Sequence, residues 1–199
     1  MTAPPDRGTR ILEAALAVFG RDGFADGSVD DIARTAGVAK PTVYSRFGDK
    51  GALFVSAMAL GAEKANRRIE QVIGELDTRT ADLRAALERL GFALSECMVS
   101  EEGSAVVRLQ VSEGRRFQQL ADQDRREAHL ELLAGKLALL SSAGRLQIPD
   151  PHRAARQLMA LVTADAIALS GTGTRPLSED QIDAPVRAGV DLFLTAYGS

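Results

Sequence analysis

The sequence contains no tryptophan, a single cysteine and few aromatic residues. Aromatic side chains make up 5% of the 199 residues, whereas alanine and leucine are abundant, which favours helices. The one cysteine, Cys97, cannot form an internal disulfide or a structural zinc site, which indicates a reducing compartment. The two histidines, His129 and His152, are too far apart in sequence for a local metal motif. We therefore expect neither a metal site nor a cofactor.

Long apolar runs are also missing from the sequence. The longest, near residues 158–169, is interrupted by Thr163 and Asp165 and falls short of the roughly 20 residues that a membrane helix needs. The first ten residues, MTAPPDRGTR, lack the apolar core of a secretory signal. We therefore expect a cytoplasmic protein without a membrane partner.

The usual motifs of enzymes are absent as well. The sequence has no GxSxG motif, no P-loop and no nucleophile with a neighbouring base. An all-helical enzyme is therefore only a remote alternative, and we expect a protein without catalytic residues.

Acidic and basic residues are unevenly distributed along the chain. The net charge of -3 and the pI near 5.5 argue against a general nucleic-acid binder. Residues 34–50, however, contain four basic residues and one acidic residue, Asp49, which is a local balance of +3. Residues 1–54 as a whole have seven basic and seven acidic residues, so the net negative charge comes from the remainder of the chain. A local basic segment of this kind indicates contact with phosphate.

Three short helices are predicted near the N-terminus. Ile11, Ala15 and Phe19 recur at every fourth position and predict an amphipathic helix that ends near Gly23. Ser28 is suited to cap a second helix, with acids in its first turn. That helix ends at Gly37, because glycine permits the positive φ of a sharp turn.

The third helix starts around residues 39–41, where a proline is tolerated in the first turn. Val43 and Phe47 bury one face, and polar side chains occupy the rest. Asp49 then caps a fourth helix whose first residue, Lys50, is well placed for a phosphate. This helix-turn-helix predicts binding to double-stranded DNA. In such binding, contacts to bases read the DNA sequence, and contacts to phosphates position the protein on the duplex. The DNA-binding candidates are Ser28, Lys40, Pro41, Thr42, Tyr44, Ser45, Arg46 and Lys50.

The stretch from Arg10 to Leu53 resembles the DNA-binding domain of the tetracycline-repressor (TetR/AcrR) family of bacterial transcription regulators. The resemblance implies a three-helix DNA-binding domain, a long fourth helix that leads to a helical effector-binding domain, and a homodimer that binds a near-palindromic operator. Two residues depart from the family pattern, because Gly27 stands where a residue like threonine is usual and Gly51 where an acid usually follows the lysine. The matching residues are Ile11, Ala15, Phe19, Gly23, Phe24, Ser28, Ile32, Ala33, Ala36, Gly37, Val38, Thr42, Tyr44, Phe47, Lys50 and Leu53.

The remainder of the chain has a helical pattern throughout, so the predicted fold is all-α with about nine helices. The predicted DNA-binding domain covers residues 7–53 and extends into the linking helix to about residue 67. Residues 68–199 form the predicted effector-binding and dimerisation domain. Its helices are expected at residues 81–99, 104–113, 116–142, 151–170 and 178–197, after a fourth helix that reaches residue 76. In the last of these, Pro185 is expected to kink the helix or delay its regular start.

The last two helices carry more apolar surface than one small bundle needs, which predicts a dimer contact. The alternative is that the same stripes close the core of the monomer. The interface candidates are Leu158, Leu161, Val162, Val186, Val190, Phe193 and Leu194.

A small-molecule effector is expected to bind among helices four to eight, in an apolar pocket with a few polar groups. Methionine and phenylalanine at helical spacing are also typical of an ordinary core. The pocket candidates are Phe92, Met98, Val107, Arg108, Val111, Phe117, Met159 and Thr163. The predicted function is a repressor that an effector releases from its operator, with an activator or an effector-independent DNA-binding protein as the alternative.

Overall fold

The computed structural model describes residues 6–117 and 123–198, with backbone only for residues 123–127. This part of the chain is helical, without a named strand, and a single antiparallel bridge joins Leu146 to Gly198. The prediction of an all-α fold with about nine helices is confirmed. The helices of the described residues are α1 (Arg7–Asp26), α2 (Val29–Ala36), α3 (Lys40–Phe47), α4 (Lys50–Gly74), α5 (Leu83–Val99), α6 (Glu101–Glu113), α7 (Gln123–Ser142), α8 (Pro151–Leu169) and α9 (Glu179–Tyr197).

The chain divides into two compact units. Unit 1 comprises the described residues of Met1–Ala65 and Glu101–Ala121, and unit 2 comprises those of Asn66–Ser100 and Asp122–Ser199. Helix α6 therefore groups with the N-terminal helices, although the sequence pattern placed it in the C-terminal domain. Helix α4 contributes residues to both units.

The core of unit 1 is built around phenylalanine rings. The ring centroid of Phe19 lies 5.2 Å from that of Phe54, and the centroid of Phe24 lies 5.0 Å from that of Phe54. Helix α6 adds Val106 and Leu109 to this core. Each such side chain contributes about 1.5–3 kcal/mol when fully buried, so α6 is an integral part of unit 1.

The core of unit 2 is aliphatic and lies among the end of α4 and helices α5, α7, α8 and α9. Leu87, Leu133 and Phe193 are each at most 1% exposed. The buried hydroxyl of Ser95 donates a hydrogen bond of 2.6 Å to the carbonyl of Val162, which satisfies the one polar group that α5 presents to α8 at this point. Within the described residues, no helix is both long enough and apolar enough to cross a membrane.

Three helix boundaries differ from the predicted ones by three residues or more, the first being the start of α6, which lies at Glu101 rather than at residue 104. Gly23 has the expected positive φ of 77°, but a further turn follows it and α1 is assigned to Asp26 across this kink. Helix α7 begins at Gln123 rather than at residue 116, because Arg116 lies in a turn that closes on Glu113. The chain therefore leaves α6 through residues 114–117, which belong to unit 1.

The last helix starts where the sequence places its cap, in spite of an internal proline. Ser178 and Gln181 form a reciprocal capping box at the start of α9. The helix then runs through Pro185, so the proline does not delay its start.

Candidate DNA-binding surface and ligand-binding region

The turn between α2 and α3 has the geometry that the sequence predicts. Gly37 is left-handed, with φ 67° and ψ 40°, and the amide of Val38 donates a 3.0 Å hydrogen bond to the carbonyl of Ala33. The hydroxyl of Ser28 accepts from the amides of Asp30 and Asp31 at 3.2 and 3.4 Å and so caps α2. These contacts set the angle at which α3 leaves the turn.

Helix α3 presents one buried face and one open face. Val43 is 1% exposed and packs in the core of unit 1, whereas Tyr44 is 40% exposed. Pro41 occupies the first turn, and the hydroxyl of Ser45 donates to the carbonyl of Thr42 at 3.1 Å. The DNA-binding candidates on α3 are exposed except Thr42, which is half-buried. The eight residues of α3 span about 12 Å at 1.5 Å per residue, which fits the major groove of B-DNA.

Two basic candidates on α3 are held by carboxylates from elsewhere in unit 1. The ammonium of Lys40 lies 2.8 Å from the carboxylate of Asp30, whose hydrogen bond raises the pKa of Lys40. The guanidinium of Arg46 lies 3.9 Å from the carboxylate of Asp6 and packs against Gly8. Both ion pairs are exposed, so each contributes only about 0–1 kcal/mol and can open when a phosphate approaches.

A third cation of the same segment is also paired, since the guanidinium of Arg34 lies 2.5 Å from the carboxylate of Asp31. The predicted balance of +3 over residues 34–50 therefore does not describe the surface. Acids outside that stretch neutralise three of its four cations in the folded unit.

Lys50 is the fourth cation and differs from the other three. Its ammonium donates a 2.9 Å hydrogen bond to the carbonyl of Ala25 and lies 4.9 Å from the ring centroid of Phe24. As predicted, Asp49 caps α4 by accepting from the amide of Ala52 at 2.8 Å. The first turn of α4 thus presents a cation without a carboxylate partner among the described residues.

Two residues that follow α6 also lie at this position: Arg116, which the sequence patterns missed, and Phe117, which they predicted for the effector pocket. The Phe117 centroid lies 5.0 Å from that of Phe24 and 4.9 Å from that of Phe54. The guanidinium carbon of Arg116 lies 4.5 Å from the Phe24 centroid. No sequence signal indicates this contact, because more than 60 residues separate its partners.

Most of the predicted interface residues are buried within the chain itself. Leu158, Val162, Val186, Val190 and Phe193 are at most 1% exposed and belong to the core of unit 2, the alternative that the sequence left open. One of these five, Phe193, also lines a surface groove. The other two interface candidates, Leu161 and Leu194, are partly buried against the same core.

The apolar surface that remains on α8 and α9 is a groove that includes two of the predicted residues, Leu161 and Phe193. Leu192 is 61% exposed and lines a shallow groove of about 350 Å³ together with Leu161. Two alanines from the same helices, Ala160 and Ala196, are also in its lining. This α8–α9 groove offers an apolar face with small side chains at its centre, which suits close approach of another helix.

The predicted effector candidates divide between the two units. In unit 1, Phe117 packs among the phenylalanine rings, Val111 is 81% exposed, Arg108 donates to the hydroxyl of Ser104, and Val107 is half-buried. The ring contacts of Phe117 and the hydrogen bond of Arg108 hold these two side chains within unit 1.

The remaining four effector candidates belong to unit 2. Phe92, Met98 and Met159 are partly buried against its core. Thr163 is buried, and its hydroxyl donates to the carbonyl of Met159 at 2.8 Å. A separate cavity of about 190 Å³ lies beside the end of α4 and α5, lined by Val72, Glu75, Leu76, Asp77, Ala86, Arg89, Leu90 and Ala93.

Comparisons with known proteins match both ends of the chain to one family. The family model of the bacterial regulatory proteins, tetR family, matches residues 11–57. The model of the AefR-like transcriptional repressor, C-terminal domain, matches residues 85–199. A curated relative, the HTH-type transcriptional repressor SCO4008 of Streptomyces coelicolor, is 45% identical over 49 residues. That match covers 25% of this chain and only 26% of the relative.

Two solved structures are similar over nearly the whole chain. A TetR-family transcriptional regulator from Mesorhizobium loti MAFF303099 superposes with a TM-score of 0.86 at 28% identity, over 97% of each chain. The flavonoid-responsive regulator FrrA superposes with a TM-score of 0.68 at 30% identity, over 96% of this chain and 97% of that one. The families and relatives that match this chain are regulators of transcription rather than enzymes.

Proposed function

Because this chain belongs to the tetR family of bacterial regulatory proteins, we propose that it represses transcription by binding double-stranded operator DNA as a homodimer until a small-molecule effector releases it. The observation that carries the proposal is the open face of α3, which follows a left-handed Gly37 and exposes Tyr44 by 40%. Regulators of this family bind DNA as dimers and respond to small molecules.

In the proposed complex, α3 enters the major groove and Lys50 contacts the backbone. The hydroxyl of Tyr44 is exposed and can donate to a phosphate oxygen. Lys40 and Arg46 exchange their carboxylate partners for base edges or phosphates. Because those ion pairs are exposed, the exchange costs little.

The proposed dimer uses the α8–α9 groove. Leu192 is the most exposed large apolar side chain among the described residues of these helices, and an exposed leucine flanked by alanines is suited to pack against a second copy. A two-fold arrangement buries the same groove on both copies, and the two copies supply two α3 helices for the two halves of a near-palindromic operator.

The proposed effector is bound within unit 2. Its partly buried Phe92, Met98 and Met159 are apolar and adaptable, which favours an apolar compound. The printed name of the relative FrrA, a flavonoid-responsive regulator, supports an aromatic compound as the first class to test.

Binding to the DNA upstream of its own gene tests the proposed function. We expect salt-dependent binding in fluorescence anisotropy, weakened about tenfold by Lys50→Ala and by Tyr44→Ala, because each variant removes one phosphate contact. The salt slope should fall by about one for Lys50→Ala. Arg79→Ala, which removes an exposed cation of unit 2, is the matched control and should leave the affinity unchanged.

Two results would contradict different parts of the proposal. If the wild-type protein binds the upstream fragment no better than a shuffled duplex of equal length, it is not a sequence-specific regulator of that fragment. If Lys50→Ala and Tyr44→Ala both bind as tightly as the wild type, the surface around α3 and the first turn of α4 is not the DNA-binding surface.

A further inference from the structure

The segment that follows α6 is ordered against the phenylalanine core of unit 1. The amides of Arg116 and Phe117 both donate to the carbonyl of Glu113 at 2.9 Å, and this turn directs the Phe117 ring between Phe24 and Phe54. Phe117 is thereby fixed by two ring contacts, and Arg116 is fixed beside it.

Arg116 lies on an aromatic platform at the surface. Its guanidinium carbon is 4.5 Å from the ring centroid of Phe24 and 5.6 Å from that of Phe117, while the residue itself is exposed. A guanidinium that stacks on a ring keeps its N–H groups free to point outward in the plane of the group. Two parallel N–H groups of this kind match the oxygens of a phosphate.

A second cation lies over the same ring. The ammonium of Lys50 is 4.9 Å from the Phe24 centroid. Among the described residues, neither Lys50 nor Arg116 is ion-paired with a carboxylate, in contrast to Arg34, Lys40 and Arg46. Two like charges beside one ring, neither of them ion-paired within the described part of the chain, favour the approach of an anion.

This pair of cations adjoins the recognition helix. A Cβ built on Gly51 would lie 3.6 Å from Cε1 of Phe117, so the segment after α6 touches the first turn of α4. Only Gly48 and Asp49 separate that turn from the end of α3. The surface that carries Arg116 is therefore continuous with the proposed DNA-binding surface.

We propose that Arg116 and Lys50 hold one DNA backbone phosphate between them, with Phe24 as their platform. This inference rests on the proposed function, since it adds a contact from the segment after α6 to the same DNA-binding surface. It also gives a reason for the departure at position 51, because an acidic side chain there would introduce a negative charge beside the phosphate. The stacking alone can instead serve to hold the turn, and that role would leave DNA binding unchanged.

The test measures the affinity and its salt dependence for two labelled duplexes, the upstream DNA and a shuffled sequence at low salt. We expect Arg116→Ala to weaken binding about three- to tenfold on both duplexes and to lower the salt slope by about one, because a phosphate contact is independent of sequence. Arg116→Lys, which keeps the charge but not the planar group, should be intermediate.

Arg115→Ala is the matched control, because Arg115 is exposed and adjacent but has no ring contact among the described residues. It should change the affinity and the salt slope less than Arg116→Ala does. Thermal unfolding of each variant shows whether the turn is still folded. A folded Arg116→Gln variant provides a second measurement if Arg116→Ala unfolds.

The inference is overturned if folded Arg116 variants keep the wild-type salt slope while Lys50→Ala lowers it. An equal effect of Arg115→Ala and Arg116→Ala would also overturn it, because it would indicate a diffuse charge effect rather than a clamp. If the wild-type protein binds neither duplex, the proposed function itself fails.

Discussion

At the scale of single residues, two cations of α3 form ion pairs with carboxylates that lie elsewhere in the sequence. Lys40 and Arg46 face Asp30 and Asp6, ten and forty positions away. A count of charges along residues 34–50 omits both acids, because the helix-turn-helix brings distant positions together. The face of α3 is consequently less basic before DNA binds than its sequence indicates.

His129 is the residue with the clearest dependence on pH. It is buried in unit 2, and its Nε2 has no hydrogen-bond partner among the described residues. The nearest carboxylate, that of Glu70, is 3.7 Å away. Burial lowers the pKa of His129 below its ordinary value of about 6.5, although Glu70 opposes this shift.

We predict that His129 destabilises the fold in mild acid. The unfolded chain takes up a proton on this histidine below about pH 6.5, whereas the folded chain resists protonation until a lower pH. The free energy of unfolding should therefore fall as the pH decreases below about 6.5. Chemical denaturation at pH 7.5 and 5.5 should show a smaller fall for His129→Gln than for the wild type.

The exposed His152 provides the control for this prediction. His152→Gln is measured under the same conditions as the variant of the other histidine. If the free energy of unfolding falls equally with pH in the wild type and in His129→Gln, a group other than His129 is responsible for the fall.

At the scale of helices, the end signals predicted most boundaries. Ser28, Gly37, Asp49 and Ser178 all perform the capping or turning role that their residue types favour. These signals are local, because each cap bonds to an amide only two or three residues away. The predicted start of α7 at residue 116 was wrong, because Arg116 and Phe117 lie in a turn after α6 and Phe117 packs into the core of unit 1.

Helices α8 and α9 approach most closely at Gly189. A Cβ built there would lie 2.4 Å from the carbonyl oxygen of Leu161, which belongs to the backbone and cannot move alone. We predict that Gly189→Ala destabilises the protein by about 1–3 kcal/mol through overpacking. Urea denaturation measures the change in the free energy of unfolding.

Gly135 is the matched control within α7, because a Cβ built there meets nothing within 4 Å. Gly135→Ala should stabilise the protein by up to about 1 kcal/mol, since alanine is the better helix former. A Gly189→Ala variant as stable as the wild type would mean that the two helices can separate at this point without cost.

At the scale of the whole molecule, most of the interface residues predicted from the sequence are core residues of unit 2. Leu158 and Val190 belong to stripes that are strongly apolar because they form the core of unit 2. A core stripe and an interface stripe have the same period, so the pattern cannot distinguish them. The exposed groove that contains Leu192 is lined by fewer large apolar residues, so the sequence pattern does not indicate it.

We predict that Leu192→Glu converts the proposed dimer into a monomer. A carboxylate at the centre of the groove loses its hydration when a second copy packs against it. Sedimentation at micromolar concentration should show the mass of one chain, and binding to a two-fold operator should weaken more than tenfold.

Leu139→Glu is the matched control, because Leu139 is 60% exposed on α7 and Leu192 is 61% exposed on α9. Leu139→Glu should remain a dimer. If Leu192→Glu also sediments as a dimer, the groove is not the interface.

The sequence by itself determined the features of this protein that depend on neighbouring residues. The all-α class, the caps, the left-handed Gly37 and the alternation of buried and open faces on α3 all follow from local spacing. The family resemblance rests on the same stretch, residues 10–53, because a helix-turn-helix is a compact local motif.

Only the tertiary structure decided which apolar faces are core and which charges meet. It placed α6 in unit 1, brought Arg116 to the ring of Phe24, and paired Lys40 with Asp30. Burial and ion pairing depend on distances in space, and these are set when helices far apart in sequence pack together.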